Sequence, residues 1–178
     1  MEKIKVRDKY FKPYIPYSRI EEKIKILASE LNKDYKGKNP LFLSILNGSF
    51  IFAADLFKEI KFDCTISFVK IASYKGTSSS GNVISLIGLE ENIRDRHVIV
   101  LEDIVDTGKT LSELLPSLQL QNPASLKIAS LLVKPDALKH DVPIDYFCFN
   151  IPNDFIVGYG LDYDGYGRNL RDIYQITG

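Results

Sequence analysis

Cysteine and histidine are scarce in this chain, with two of each in 178 residues. Cys64 and Cys148 sit in apolar, strand-like runs, so buried reduced thiols are expected rather than a disulfide framework or a nucleophile. His97 and His140 lie near no Ser or Cys motif. Ser/His or Cys/His catalysis and histidine metal ligation are therefore poor fits. A charge imbalance is also missing: 23 basic residues balance 23 acidic ones. A general nucleic-acid or anionic-membrane binder would show a basic excess. No apolar run approaches the ~20 residues of a membrane span. The stretch from Met1 to Asp8 lacks the apolar core of a signal peptide. The expectation is a cytoplasmic protein with neither nucleic acid nor membrane as partner. Its length and 45% hydrophobic content suffice for one domain over 1–178 with a substantial core.

What is present is concentrated between His97 and Leu111. Four apolar residues, Val98 to Leu101, read as a buried strand. Three carboxylates follow, Glu102, Asp103 and Asp106, and then a small polar turn, Thr107-Gly108-Lys109-Thr110. After it Leu111, Leu114, Leu115 and Leu118 recur as on one helix face. A strand, an acidic edge, a tight loop and a helix N-terminus place backbone N–H groups toward an anion. Carboxylates beside an anion repel it unless a cation joins them. The stretch therefore predicts a phosphate ligand, a sugar or water between phosphate and acids, and magnesium.

The rest of the chain supplies the frame. Residues 1 to 17, with Pro13, Pro16 and several aromatics, predict an irregular arm. Ser18-Arg-Ile-Glu21 is a capping-box pattern opening an amphipathic helix through Ile20, Ile24, Leu27, Leu31 and Tyr35 to Gly37. Leu41 to Leu46 predicts a buried strand, Asn47-Gly48-Ser49 a turn, and Phe50 to Ile60 a helix with Phe50, Ala53, Ala54 and Phe57 inward. That turn is either a plain connector or a second anion site. Cys64 to Ile71 and Val83 to Ile87 predict strands, separated by a long polar segment, 72–82, containing one aromatic, Tyr74. The segment is either a plain flexible loop or a lid. Ser125 to Val133 predicts a strand, with Lys134 just past its carboxyl end, where it is either solvated or a ligand contact. Tyr146 to Phe149 predicts a short strand, Phe155 to Val157 a last buried piece, and Ile173 to Ile176 a short terminal strand. Between the last two lies a glycine-rich segment, 158–169, carrying Asp162, Asp164 and Arg168. The alternation of strands and helices predicts an α/β fold with an open, mainly parallel twisted sheet flanked by helices, and a site at the strand carboxyl ends.

Val98 to Leu111 resembles the phosphoribosyl-pyrophosphate signature of type I phosphoribosyltransferases. Leu46-Asn-Gly-Ser-Phe50, Ser73-Tyr74, Leu131-Leu-Val-Lys134, and Phe155-Ile-Val-Gly-Tyr-Gly-Leu-Asp162 with Arg168 narrow the resemblance to the hypoxanthine (hypoxanthine-guanine) phosphoribosyltransferases. They occur in family order from about residue 18 onward. The resemblance implies that family's fold, with a flexible lid loop at 72–82 and a small hood from terminal segments.

It also implies a set of roles. Asp106, Thr107, Gly108, Lys109 and Thr110 wrap the ribose phosphate, and Glu102 and Asp103 face the ribose hydroxyls directly or through Mg2+. Asp106 is the candidate general acid/base near the purine imidazole nitrogen. Lys134 donates to the purine six-position oxygen, Phe155 stacks on the ring and Ile156 offers main-chain bonds. Asp162 completes the purine-binding set and holds a second magnesium. Leu46, Asn47, Gly48, Ser49 and Arg168 take pyrophosphate, across a Leu46–Asn47 peptide expected to be cis in at least one state. Ser73 and Tyr74 belong to the lid. The implied partners are phosphoribosyl pyrophosphate, a six-oxo purine, and further copies of the chain in a homodimer or homotetramer. Two departures stand out: Asn47 occupies a position where many relatives carry Lys or Arg, and Pro116 lies inside the helix after the phosphate loop, where it predicts a kink or early irregularity. Two alternatives compete with the enzyme. One is a regulator that keeps the phosphoribosyl-pyrophosphate site and senses; the other is an unrelated phosphate-binding α/β domain whose acidic edge is structural.

Overall fold

The computed structural model describes residues 2–74 and 83–177, without side chains for 72–74 and 83–87. Its centre is a six-stranded sheet, and its second layer a four-stranded antiparallel sheet built from both ends of the chain.

In the central sheet β3 (Leu41–Leu46), β4 (Thr65–Tyr74), β6 (His97–Val105), β7 (Ser125–Val133) and β8 (Tyr146–Asn150) run parallel, and β5 (Val83–Ile87) pairs antiparallel on the β4 edge. The order is β5-β4-β3-β6-β7-β8. The chain thus winds outward from β3 to β4, returns to β6 beside β3, and winds outward the other way. The carboxyl ends of β3 and β6 flank that switch point, where an open α/β sheet leaves a crevice. β3 and β6 are almost wholly buried because both sheet faces are covered. One face packs on α1 (Tyr17–Asp34) and α2 (Phe50–Glu59), and the other on the Leu111, Leu114 and Leu118 stripe of α3 (Lys109–Gln119).

Several sequence expectations change here. The N-terminal arm is a hairpin, β1 (Ile4–Val6) and β2 (Lys9–Ile15). β2 pairs onward with β10 (Ile173–Ile176), which pairs with β9 (Ile156–Val157). Pro13 is accommodated because it pairs opposite Tyr174, beside a register irregularity where a ladder donor can be spared. The expected capping box does not form. Helix α1 begins two residues earlier than a Ser18 cap implies, at Tyr17, whose backbone N–H donates to Asp172 Oδ1 at 2.7 Å. An acid from the other end of the chain satisfies the helix terminus that Ser18 was expected to cap. On α2 the inward face is Phe52, Ala53 and Leu56; Phe50 and Ala54 are exposed and Phe57 is half-buried. Packing against α1 and the sheet sets that phase, and the aromatics do not. Helix α3 continues through Pro116 to Gln119, with the Leu120 N–H bonded back to Pro116 O, so the proline does not end it. The expected lid falls mostly on residues 75–82, which lie outside the described residues. Ser73 and Tyr74 close β4 on its backbone. No helix among the described residues is long and apolar enough to cross a membrane.

Candidate active site

The loop after β6 is Asp106-Thr107-Gly108, and α3 starts at Lys109. Gly108 adopts φ +77, a left-handed conformation that glycine enters without a Cβ penalty. A Cβ there would also lie 3.2 Å from His140 O. The segment after β7 supports the loop from outside, because the N–H groups of Lys139 and His140 both donate to Thr107 O, at 3.0 and 3.2 Å. That support was not foreseen from sequence; it is a main-chain contact between loops more than thirty positions apart, and no side-chain pattern marks it. Residues Glu102 to Leu111 line a cavity of about 280 Å³.

A second cavity of about 560 Å³ opens over the switch point. It is lined on one side by Leu46, Asn47 and Gly48, on another by Glu102, Asp103, Lys109, Thr110 and Glu113, and on a third by Asp162 and Arg168. The Leu46–Asn47 peptide is cis, as expected. Ser49 departs from its expected place: its hydroxyl is fully buried, 2.6 Å from Ser44 Oγ and bonded to Ile45 O, so it faces the core and not the cavity. Gly48 lies directly against the Asp103 carboxylate, since a Cβ at Gly48 would fall 1.6 Å from Asp103 Oδ2.

Glu102 and Asp103 sit within β6, not on a loop, and are buried at 8% and 9% exposure. Two adjacent acids out of water are costly unless neutralised. Burial pushes the Glu102 carboxyl well above the usual carboxylate range, and the neighbouring Asp103 charge pushes it further. Burial also raises Asp103, opposed by the bond it accepts from the Ile104 N–H at 2.9 Å. Glu102 Oε2 is buried with no hydrogen-bond partner. An acid pair with an unpaired buried oxygen fits a divalent cation, which takes one or two carboxylates and completes its shell with water and phosphate oxygens. Asp162 is otherwise engaged. Its Oδ1 pairs with Arg168 Nη2 at 2.6 Å and its Oδ2 accepts the Gly165 N–H at 2.6 Å.

Lys134, also buried, stands past the end of β7 and reaches Asp106 Oδ2 at 2.8 Å. Phe155 precedes β9 and is 44% exposed, while Ile156 is buried in the core. Phe155 packs edge-on against Tyr163, with centroids 5.7 Å apart, and lies 6.3 Å from Phe11. The arm of unassigned purpose therefore backs this ring.

An open α/β sheet with a glycine loop, a buried acid pair and an arginine converging on its switch point defines a binding fold for a phosphorylated ligand. The phosphoribosyl transferase domain family matches residues 16–164. A hypoxanthine-guanine phosphoribosyltransferase of Streptococcus pneumoniae is 43% identical over 160 residues, 89% of each chain. A hypoxanthine-guanine-xanthine phosphoribosyltransferase of Tritrichomonas foetus is 43% identical over 152 residues, 85% of this chain and 83% of that one. Among solved structures, a hypoxanthine-guanine phosphoribosyltransferase of Bacillus anthracis superposes with a TM-score of 0.85 at 38% identity, covering 94% of this chain and 98% of that one. The chain belongs to the phosphoribosyltransferase family, among its hypoxanthine-guanine members. The regulatory alternative finds no support in these relatives.

Proposed function

We propose that this chain is a purine salvage enzyme that transfers the 5-phosphoribosyl group from phosphoribosyl pyrophosphate to hypoxanthine, and to guanine, giving IMP or GMP and pyrophosphate. The observation that carries the reading is the convergence, at one switch point, of the loop after β6, the buried acids of β6 and the Lys134–Asp106 pair. The named relatives agree with it.

The N–H groups of Asp106 to Thr110 and the Thr107 and Thr110 hydroxyls hold the ribose phosphate. Glu102 and Asp103 orient the ribose hydroxyls and would hold magnesium, with Asp162 joining only after releasing Arg168. When bound, magnesium neutralises the charge on departing pyrophosphate. The main chain of Leu46 to Ser49 and the Arg168 guanidinium grip pyrophosphate, so a neutral Asn47 is tolerated there. Lys134 donates to the six-oxo group, which disfavours adenine because its exocyclic group is itself a donor. Phe155 stacks on the purine, and Ile156 offers its main chain. As the anomeric carbon gains positive charge, the purine ring nitrogen attacks and Asp106 takes or returns the proton. Ser73 and Tyr74, at the end of β4, take the part of a lid that keeps water from the reaction.

The acting unit is the whole chain, 1–178, because strands from both ends form the hood. Exposed Phe50 and Phe68, at 42% and 41%, support a homodimer or homotetramer. Two free cysteines suit the cytoplasm. A steady-state assay with hypoxanthine, guanine, xanthine and adenine tests the reading. Turnover with six-oxo purines and none with adenine is the expected pattern. Absence of turnover with any base, alongside intact phosphoribosyl-pyrophosphate binding, would sink it.

A further inference from the structure

We infer that Tyr159, through its hydroxyl on Asp55, is a positioning residue that holds the two walls of the pyrophosphate pocket at one spacing. The inference rests on the assignment of Leu46–Ser49 and Arg168 to pyrophosphate.

Those two walls come from distant parts of the chain. One is the turn Leu46 to Ser49, which leads straight into α2. The other is the glycine-rich segment that carries Asp162 and Arg168. Asp55, on the second turn of α2, accepts the Tyr159 hydroxyl on Oδ2 at 2.6 Å. Its other oxygen is held by Lys58 Nζ at 2.6 Å, and the Tyr17 hydroxyl lies 3.5 Å from Oδ2. Tyr159 is 1% exposed and sits at φ +50, between Gly158 at φ +105 and Gly160 at φ +97. A bulky residue in the left-handed region is uncommon and persists only where its surroundings hold it. The buried ring, its bond to Asp55 and the Tyr159 N–H, which donates to Leu170 O at 2.8 Å, hold it.

The consequence falls on Gly160. Its N–H donates to Arg168 O at 3.0 Å, and its carbonyl accepts Arg168 Nη1 at 2.7 Å. Its other side touches the opposite wall, since a Cβ on Gly160 would lie 2.2 Å from Gly48 O. Gly48 in turn abuts Asp103. Arg168 therefore reaches the pocket from a backbone unit wedged against Gly48, and the next residue back is bolted to the helix that Gly48 introduces. Burial and the Asp55 carboxylate both raise the Tyr159 pKa, so the hydroxyl stays a donor. A bond that only satisfied a buried hydroxyl would affect melting temperature alone. A spacing device acts on one substrate.

The test measures KM for phosphoribosyl pyrophosphate, KM for hypoxanthine, pyrophosphate product inhibition and thermal stability in Tyr159→Phe, Asp55→Asn, the double variant and Arg168→Gln. Tyr159→Phe keeps the ring and the fold. The expected result is that each single variant at the pair raises the phosphoribosyl-pyrophosphate KM and weakens pyrophosphate inhibition by roughly tenfold, the scale of one lost hydrogen bond to a charged group. The hypoxanthine KM stays within about twofold, and the double variant is no worse than the worse single one. An unchanged phosphoribosyl-pyrophosphate KM in Tyr159→Phe, or an equal rise in both KM values, overturns the inference provided that Arg168→Gln weakens pyrophosphate binding. Arg168→Gln without any such effect removes the pocket assignment itself, and the inference with it.

Discussion

Lys134 Nζ lies 2.8 Å from Asp106 Oδ2, joining the end of β7 to the first residue after β6. The lysine side chain is 8% exposed and the aspartate 46%, so a buried cation is balanced by an acid that solvent and substrate can reach. A second contact fixes the lysine from behind, the Lys134 N–H donating to Val105 O at 2.9 Å. On the proposed reading, a six-oxo purine would meet a donor and an acceptor already paired here. Asp106→Asn keeps the size and removes the proton acceptor. Turnover is expected to fall roughly 100-fold or more, the usual scale for a lost general acid/base. Phosphoribosyl-pyrophosphate binding, followed by calorimetry, should change far less. Equal losses in both would mean that Asp106 mainly shapes the loop.

The pH dependence of stability without ligand should carry the signature of Glu102. Burial raises its pKa above the ordinary 4.5, so the folded chain holds that proton more tightly than the unfolded one. The associated stability is complete below the ordinary value and is lost as pH rises through the raised one. Glu102→Gln mimics the protonated form. Its melting temperature should match the parent at about pH 4 and exceed it at about pH 8, where the parent must either charge a buried carboxyl or hold its proton against solvent. Parallel melting curves across that range would show that Glu102 ionises freely. The same variant should bind phosphoribosyl pyrophosphate with magnesium more weakly.

Glycines of the site should differ sharply in tolerance. Gly160→Ala forces a Cβ to 2.2 Å from Gly48 O at φ +97, a backbone clash that no side-chain rotation relieves. It should cost about 2–4 kcal/mol in urea denaturation. Gly165, at φ +84, has nothing within 4 Å of such a Cβ. Gly165→Ala should cost about 1–2 kcal/mol, the left-handed penalty alone. Similar losses at both positions would mean that the walls can move apart freely.

The purine wall should depend on a residue that touches no substrate. Tyr163 holds Phe155 edge-on, and its hydroxyl donates to Asp8 Oδ1 at 2.9 Å, in the turn of the N-terminal hairpin. Tyr163→Leu is expected to raise the hypoxanthine KM roughly three- to tenfold, the worth of one aromatic pair. The phosphoribosyl-pyrophosphate KM should hold. An unchanged hypoxanthine KM would show that Phe155 finds its angle without help.

Several strands and one helix were legible because their signals are local. Ser125–Val133 coincides with β7 and Ile173–Ile176 with β10, runs whose apolar residues and neighbouring breakers lie within a few positions. The α1 stripe of Ile20, Ile24, Leu27 and Leu31 was legible for the same reason. Errors arose where the partner is distant. The N-terminal arm reads as irregular because half of its pairing is to β10, about 160 positions away. Ser18 looks like a cap until Asp172 arrives from the far end of the chain. Phe50 looks inward on α2 because an aromatic at a helix start suggests a core, yet α1 and the sheet choose Phe52 and Leu56.

For the site, residue identities and chain order were enough to predict a phosphate loop with an acidic edge between His97 and Leu111, and to mark Lys134, Asp162 and Arg168; Phe155 was marked only by the family resemblance. Each is a chemical type at a particular place beside a strand or glycine turn. The tertiary structure alone decided how these pieces meet. It pairs Lys134 with Asp106, ties Asp162 to Arg168, turns the Ser49 hydroxyl inward, and presses Gly160 onto Gly48 behind the Tyr159–Asp55 bond. Those contacts depend on distances between segments far apart in the chain. Packing of the sheet, helices and hood sets such distances, and local patterning carries no record of them.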